Sequence, residues 1–187
     1  MGAGVTALLG LAAPLAAQLY SPAQIVMING GDNRLAVARQ FGATQTINGA
    51  DGSAAETVKA LAAGRGVDTA IEAAGAPPPT FLPCRDLVAP GGIIANSGVH
   101  GQKVEPRLER PWSQNIAITT RLVRTGTTPM LLNTVQCGEI EPTRLITLPF
   151  TLNQLLDVLV TSRAAAAPRE VTRGATPAID RPPSGRR

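Results

Sequence analysis

The chain has 187 residues, 44% of them apolar, and a formal charge of +4. This length is enough for one domain with a hydrophobic core and short for two. Six arginines and two acids follow Ser162, so the positive excess lies in residues 163–187 and the preceding body is neutral. With one Trp, one Tyr and three Phe, and no basic stripe, the body lacks the features of a nucleic-acid-binding protein.

A glycine-rich stretch opens the chain, followed by an apolar helix predicted over residues 5–20 and a buried strand over residues 24–28. A turn, a helix and a strand in this order are typical of the second half of a βαβ dinucleotide-binding unit, where a helix N-terminus offers free N–H groups to a pyrophosphate. The sequence shows no strand pattern ahead of the turn. We therefore expect the first strand of the sheet to be missing and the domain to be incomplete.

Short strand-like and helix-like runs then alternate along the chain. Helices are predicted at 32–41, closed by Gly42, at 53–63, opened by a capping box from Ser53 to Glu56, and at 81–87. Strands are predicted at 44–47, within 67–75, at 92–96 and at 116–122. This alternation predicts an α/β fold, a doubly wound parallel sheet with helices on both faces.

The last part of the chain has a different composition. A helix is predicted at 128–136 with Gly138 as its cap, then a strand at 145–147 and a last helix at 152–162. Residues 163–187 are rich in Ala, Pro, Gly and Arg and lack periodic apolar positions, so we expect a disordered tail. The predicted organisation is one domain over residues 1–162 followed by this tail.

The residues that could ligate a metal are few. Cys84 and Cys137 have no CxxC partner, which indicates reduced structural thiols in a cytoplasmic protein. His100 is the only histidine, so a complete catalytic zinc site or a Ser-His or Cys-His hydrolase is not expected from this chain. We assign no catalytic and no metal-binding residue, and we expect His100 to lie at the surface.

The apolar residues near the N-terminus could also belong to a signal peptide. No Lys or Arg precedes Arg34, whereas a secretory signal normally begins with a basic region. No stretch reaches the length of a transmembrane helix. A cytoplasmic protein without a membrane partner is the prediction, and an exported protein is the alternative.

Several stretches, taken together in order and spacing over about residues 5–162, resemble the coenzyme-binding domain of the zinc-containing medium-chain alcohol dehydrogenases. They are AQLYSP at 17–22, INGGDNRL at 28–35, GVD at 66–68 with EAAG at 72–75, PGG at 90–92, WSQNIAITT at 112–120 and PTRLIT at 142–147. The resemblance implies a Rossmann-like fold that binds NAD or NADP.

The resemblance does not cover the whole family pattern. In that family a preceding GroES-like barrel carries the zinc ligands and the proton relay, and its pattern is not present in this sequence. The resemblance therefore implies zinc only in the missing domain and a truncated coenzyme domain that does not catalyse hydride transfer alone.

The glycine turn admits two registers. If Gly10 is the third glycine of a G-x-G-x-x-G motif, it lies at the expected distance before Asn29, and Val5 and Ala7 replace the first two glycines. If Gly2 and Gly4 are the first pair, the helix has to absorb extra residues. Weak cofactor binding follows from either register, because side chains or extra residues impair the pyrophosphate turn. An apolar helix with incidental glycines is the alternative.

Two residues are predicted at the adenosine end of a cofactor. Asn29 stands where the family resembled usually has an acid that accepts both ribose hydroxyls; the neutral amide would weaken NAD binding and tolerate NADP. It would otherwise only form a turn with the glycines that follow. Arg34 lies beside the adenosine in this interpretation, or is a solvated helix residue.

Two further segments resemble those that line the nicotinamide ribose in the family, namely Ala74-Gly75 and Ser97-Gly98-Val99. Both follow predicted strands, and ligands of open α/β sheets bind beyond the carboxyl ends of the strands. The alternative is that these small residues only form turns. Asp68 and Glu72 lie on one face of a predicted strand, and capping and solvation account for them.

Two hypotheses on function follow. The first is an NAD(P)-binding domain that is not catalytic alone. The second is a noncatalytic remnant, or a partner that forms a homodimer or pairs with a full-length dehydrogenase. The resemblance implies that the region of residues 116–122 lies near the dimer interface of the family, and a strand edge there could still pair.

Overall fold

The computed structural model describes residues 2–5, 8–75, 80–122, 124–148, 151–154 and 171–172. The chain divides into two compact units, Met1–Pro142 and Thr143–Arg187. The strands of the first unit are β1 (Gly2–Val5), β2 (Ile25–Asn29), β3 (Gln45–Asn48), β4 (Val67–Glu72), β5 (Val88–Asn96) and β6 (Ala117–Thr120). They form one sheet in the order β3-β2-β1-β4-β5-β6, and every neighbouring pair is parallel.

Helices connect these strands. They are α1 (Leu8–Ala17), α2 (Asp32–Gln40), α3 (Ala54–Leu61), α4 (Phe81–Leu87), α5 (Glu109–Ser113) and α6 (Thr128–Gln136), with 3₁₀ turns at Gln18–Tyr20 and Thr125–Thr127. Among the described residues, no helix combines the length and the apolar character needed to cross a lipid bilayer.

The core lies on both faces of the sheet, as the side chains of β2 show. All five β2 residues are buried. Val26 and Ile28 belong to a cluster that contains residues of α3 and α4, whereas Met27 packs in a second cluster with Leu35 and Ala38 of α2. Because successive side chains of a strand point to opposite faces, helices cover the sheet on both sides. The predicted doubly wound α/β class is confirmed.

The prediction that the first strand is missing is wrong. Residues Gly2–Val5 form β1, which lies in the centre of the sheet and pairs Gly2 with Ile25 on one side and with Thr69 on the other. Glycine has a low intrinsic preference for strands, so a stretch with two glycines in four residues carries little local signal. Pairing with strands on both sides sets this segment's conformation.

The predicted helices at 81–87 and 128–136 are confirmed as α4 and α6, and the first helix is shorter than predicted. The prediction of a capping box at Ser53 is wrong, because the Ser53 side chain makes no hydrogen bond to the backbone at the start of α3. Asp51 holds the turn instead, since its Oδ1 accepts from the backbone N and the Oγ of Ser53 at 2.9 and 2.8 Å. These bonds lower the pKa of Asp51, the backbone bond most strongly.

Strand β5 begins earlier than predicted. The sequence predicts a strand from Gly92, but the strand covers Val88–Asn96 and includes Pro90-Gly91, and its register with β4 shifts between Val67 and Thr69. The positive φ of Gly91, 76°, accommodates this irregularity. The predicted strand 116–122 is shorter in the structure, where β6 covers Ala117–Thr120.

The second unit contains two short parallel strands, β7 (Ile146–Leu148) and β8 (Val171–Thr172). Of the predicted helix 152–162, the described part is a 3₁₀ turn at Leu152–Gln154, and residues 155–162 lie outside the described residues. Within the predicted disordered tail, Val171–Thr172 is a strand, which contradicts the prediction for these two residues. The rest of 163–187 is not described, and the domain boundary at 162 stays a prediction.

Candidate functional site

A crevice is expected where the connections of the sheet change direction. The chain leaves β1 toward β2 on one side, and β4 pairs with β1 on the other side. In open α/β sheets, ligands bind at such a switch point, beyond the carboxyl ends of the strands. The described residues at or just beyond the carboxyl ends of β1, β2, β4 and β5 include these predicted site residues: Gly10, Asn29, Arg34, Ala74, Gly75, Ser97, Gly98 and Val99.

The bounds of β1 and α1 favour one of the two glycine registers. Strand β1 ends at Val5 and α1 begins at Leu8, so two residues connect them. Gly10 is the third residue of α1 and is buried, which fits the register with Gly10 as the third glycine. Gly2 and Gly4 lie inside β1 rather than between β1 and α1, and a contact of either glycine with a cofactor stays a prediction.

Asn29 ends β2 as a turn residue. Its side chain is largely buried, and its Oδ1 accepts a hydrogen bond from the backbone N of Gly31 at 2.9 Å. Its backbone O accepts from the N of Gly49 at 3.0 Å, which ties the end of β2 to the segment after β3. The turn that the sequence suggested is present, and it places the amide at the carboxyl edge of the sheet.

Helix α2 begins directly after this turn. Arg34 is its third residue and is partly exposed. Asp32 precedes it, and its Oδ1 accepts from Nδ2 of Asn48 at 2.7 Å. The first turn of α2 therefore carries a cation, Arg34, close to the carboxyl end of β2, where the adenosine end of a nucleotide is predicted to lie.

Glu72 is a site residue that sequence reasoning missed. It ends β4 with no solvent exposure, and its Oε1 accepts from the backbone N of Ala74 and of Gly75, both at 2.9 Å, and from Oγ1 of Thr80. The expectation of solvation holds for Asp68, an exposed residue that pairs with Arg65 at 3.5 Å, and is wrong for Glu72. The two acids lie near opposite ends of β4, and the segments that enclose Glu72 are at the carboxyl end.

The segments after β4 and β5 contact each other through their backbones. We call residues 73–75 the β4 loop and residues 97–100 the β5 loop. The backbone O of Glu72 accepts from N of Ser97 and of Gly98 at 2.8 and 3.1 Å. A Cβ on Gly75 would overlap the backbone of Val99, and one on Gly98 would overlap the Glu72 carboxylate. Both glycines are required because the two loops leave no space for a side chain.

His100 is not the surface residue that the sequence suggested. Its side chain is 18% exposed, with Nε2 2.7 Å from Oδ1 of Asn96 and 3.5 Å from Oε2 of Glu72. The Asn96 amide donates through Nδ2 to the backbone O of Gly98 at 3.3 Å. Since an amide oxygen only accepts, His100 Nε2 carries the proton in this contact. His100, in the β5 loop, thus contacts both Asn96 at the end of β5 and Glu72 at the end of β4.

Metal ligation finds no support in the residues that the structure describes. Among them, no group of three His, Cys, Asp or Glu side chains could hold a metal ion. Cys84 is buried, and burial, together with the charge of Glu72, raises the pKa of its thiol to about 12, whereas a metal-binding thiol has to lose its proton. The described part of the chain does not fit a zinc ion.

The strand order, the switch point between β1 and β4 and the closely packed glycine loops define a Rossmann-type dinucleotide-binding fold. Comparison with known families gives a more specific assignment. Residues 9–136 match the family described as zinc-binding dehydrogenase. The chain belongs to this family, and it corresponds to the NAD(P)-binding domain of zinc-dependent alcohol dehydrogenases.

Relatives with known names agree. An alcohol dehydrogenase of Cupriavidus necator is 31% identical over 156 residues, which cover 79% of this chain and 41% of that protein. An NADP-dependent isopropanol dehydrogenase of Clostridium beijerinckii is 29% identical over 157 residues, 79% of this chain and 42% of that protein. The chain thus spans about two fifths of the length of the curated relatives it matches.

Solved structures show the same fold. The apo form of zinc dependent alcohol dehydrogenase 2 from Streptococcus pneumonia superposes with a TM-score of 0.80 at 43% identity, covering 87% of this chain and 48% of the other. An Escherichia coli alcohol dehydrogenase complexed with NADH superposes with a TM-score of 0.82 at 18% identity, covering 92% and 50%; at this identity the likeness concerns the fold alone.

Proposed function

We propose that this chain binds NAD or NADP weakly in the crevice at the carboxyl edge of the sheet and that it does not catalyse hydride transfer alone. The observation that carries the proposal is the convergence of Asn29, the β4 loop and the β5 loop at the switch point of the sheet. NADH is bound in one structural neighbour, and NADP is named in one relative. When bound, the cofactor supplies the hydride acceptor or donor.

The residue types at the pyrophosphate turn support weak binding. In the register with Gly10 as the third glycine, Val5 and Ala7 carry side chains where the motif has glycine. Helix α1 begins at Leu8, directly after Ala7, and its N-terminus offers free N–H groups to the phosphates. Asn29 supports a relaxed preference between NAD and NADP, because a neutral amide does not repel the 2′-phosphate and Arg34 follows on α2.

The absence of catalysis is supported by the inventory of side chains. The chain has one histidine, His100, whose Nε2 faces Asn96 and Glu72 in the structure. Alcohol oxidation in zinc enzymes needs a Lewis acid to polarise the substrate oxygen. A second polypeptide segment would have to supply the zinc ligands.

Fluorescence titration with NADH and NADPH tests the binding. We expect saturable binding with Kd values of about 10 to 1,000 μM. The variant Ser97→Asp should weaken both about tenfold, because it adds a negative charge and a larger side chain in the β5 loop, beside the place proposed for the nicotinamide half of an anionic ligand. Ser113→Asp is the matched control: this residue ends α5 before β6 begins, at the opposite edge of the sheet, and should change nothing.

Two results would contradict the proposal. A folded chain without any affinity for NADH or NADPH would favour a remnant without cofactor binding. Oxidation of simple alcohols by the purified chain with NAD or NADP and added zinc would show that it is catalytic alone.

The second candidate function is pairing with another copy or with a full-length dehydrogenase. Strand β6 is at the edge of the sheet, where the described residues pair with it on one side only, and exposed strand edges favour association. Helix α6 has no buried residue, and its Met130, Leu131 and Leu132 are exposed. Apolar surface of this kind marks an interaction site.

Sedimentation tests this pairing. We expect a dimer that dissociates in Thr119→Lys, on β6, and persists in Thr46→Lys, on the opposite edge strand β3. A monomeric wild-type chain that also fails to bind an intact dehydrogenase would rule out the second candidate.

We further propose a cytoplasmic location. Cys84 and Cys137 are both free thiols, which is typical of reducing compartments. Cell fractionation tests it, and recovery of the chain from the medium or periplasm would contradict it.

A further inference from the structure

Glu72 is the one acid of the described residues that is fully buried. Burying a carboxylate is costly unless hydrogen bonds compensate it. Its Oε1 accepts three such bonds, from the backbone N of Ala74 and Gly75 and from Thr80, whereas Oε2 has no hydrogen-bond partner in the described part of the chain and lies 3.5 Å from Nε2 of His100. An apolar residue would fill this position at lower cost, so the acid requires an explanation.

The contacts of Glu72 connect the two loops of the crevice. Its side chain fixes the backbone of the β4 loop, and its main-chain O fixes the start of the β5 loop through Ser97 and Gly98. Its Oε2 lies directly against Gly98. One residue therefore determines how both loops follow their strands.

The position of these loops indicates which part of a dinucleotide they meet. A Rossmann fold consists of two mononucleotide-binding halves, and the strands β1 to β3 form the half that includes Asn29. The β4 and β5 loops belong to the other half, which holds the second mononucleotide, the one with the nicotinamide.

We propose that Glu72 is a positioning residue that holds the β4 and β5 loops in the conformation that receives the nicotinamide half of the cofactor. This inference rests on the proposed function, because it presupposes that a dinucleotide binds. Glu72 is fully buried and bonded to the loops, so it acts through them and its effect should be confined to ligands that carry the nicotinamide half.

The experiment compares NADH with ADP, which keeps the adenosine and both phosphates but lacks the nicotinamide and its ribose, by fluorescence and calorimetric titration. In Glu72→Leu we expect NADH to bind about tenfold or more weakly, whereas the affinity for ADP changes less than about twofold. Glu72→Gln should rescue NADH binding to within about threefold, because its amide oxygen can accept at the Oε1 position. Glu56→Leu, at an exposed acid of α3, is the control and should leave both ligands unchanged.

The inference would be overturned if Glu72→Leu weakened the binding of both ligands equally or weakened the binding of neither. The proposed function would still stand in that case, provided that the wild-type chain binds NADH. A wild-type chain that binds neither ligand overturns both. If thermal melting shows that Glu72→Leu is unfolded, Thr80→Val decides the question, since it removes one donor to Oε1 and keeps the side-chain shape. It should weaken NADH binding about threefold and leave ADP binding unchanged, and an unchanged ratio of the two dissociation constants would overturn the inference.

Discussion

Asn29 ends β2 with its side chain folded back onto the backbone of Gly31. In Asn29→Asp the acceptor for that N–H is retained and a negative charge is added at the edge of the sheet. We expect the ratio of NADPH to NADH dissociation constants to rise about tenfold, because a carboxylate repels the 2′-phosphate and accepts from ribose hydroxyls. Fluorescence titration of both cofactors measures this ratio.

Asn115→Asp is the matched control for this change. The residue precedes β6 and thus lies at the amino edge of the sheet, and its positive φ of 55° is tolerated by Asn and Asp alike. The ratio should stay as in the wild type. An equal shift in both variants would assign the effect to net charge rather than to position.

Cys84 makes stability depend on alkaline pH. Burial, and then the charge of Glu72, raises the pKa of its thiol from 9.0 to about 12. Below about pH 9 the thiol is protonated in the folded and unfolded states alike; above it the unfolded state alone loses the proton, so the free energy of unfolding should fall by up to about 1.4 kcal/mol per pH unit until about pH 12. Urea unfolding at several pH values measures the slope.

The two cysteines provide the comparison. Cys84→Ala should reduce the alkaline slope, and Cys137→Ala should retain it because this cysteine is exposed. In the folded wild-type chain a thiol reagent should modify Cys137 quickly and Cys84 only after unfolding. Equal slopes in both variants would show that other groups cause the alkaline loss.

For single residues, the sequence predicted the place in the fold better than the solvent exposure of the side chain. Asn29, Gly75 and Gly98 could be placed because strand ends and turn residues are encoded locally. Glu72 and His100 were assigned to solvent, because their burial depends on the contact between two loops that are distant in sequence. The sequence did contain a signal for the burial of Glu72. This acid ends an apolar strand directly before Ala73-Ala74-Gly75, and a strand inside a parallel sheet is covered on both faces.

The contact between the β4 and β5 loops depends on residues without side chains. Gly75 has a φ of 62°, and a Cβ there would overlap the backbone of Val99. We expect Gly75→Ala to lower the free energy of unfolding by about 2 to 5 kcal/mol, the sum of left-handed strain and overpacking. Urea denaturation followed by circular dichroism measures the loss.

Gly64→Ala separates the two causes. Gly64 has a φ of 79° after α3, and no atom lies within 4 Å of the added Cβ. It should lose only the conformational part, about 1 to 2 kcal/mol. If both variants lost the same amount, close packing of the two loops would contribute nothing to stability.

Helices and strands with a periodic apolar pattern were predictable from the sequence. Strand segments whose conformation depends on pairing with a neighbouring strand were not. Helices α4 and α6 follow from their patterns. Strand β1 could not be found because Gly2 and Gly4 weaken its local preference, and the start of β5 could not be found because Pro and Gly are both depleted in strands. In both cases hydrogen bonds to a neighbouring strand, invisible in the local sequence, determine the conformation.

For the molecule as a whole, zinc should contribute nothing to stability. The chain has one histidine and two cysteines, and the described residues contain no group of three metal-ligating side chains. We expect a chelator to shift the melting temperature by less than about 1 °C, because a ligand stabilises only the state that binds it. Differential scanning calorimetry with and without chelator measures this. A decrease of several degrees would reveal a metal site in the chain.

The central place of β1 also bears on the order of folding. Gly2 pairs with Ile25 in one half of the sheet and with Thr69 in the other, and the second loop is roughly three times as long, which raises its closure cost by about 1 kcal/mol. The half with β2 and β3 should assemble first and join β4 last. This seam runs along the crevice, so a bound dinucleotide would slow hydrogen exchange of the β1 and β4 amides most.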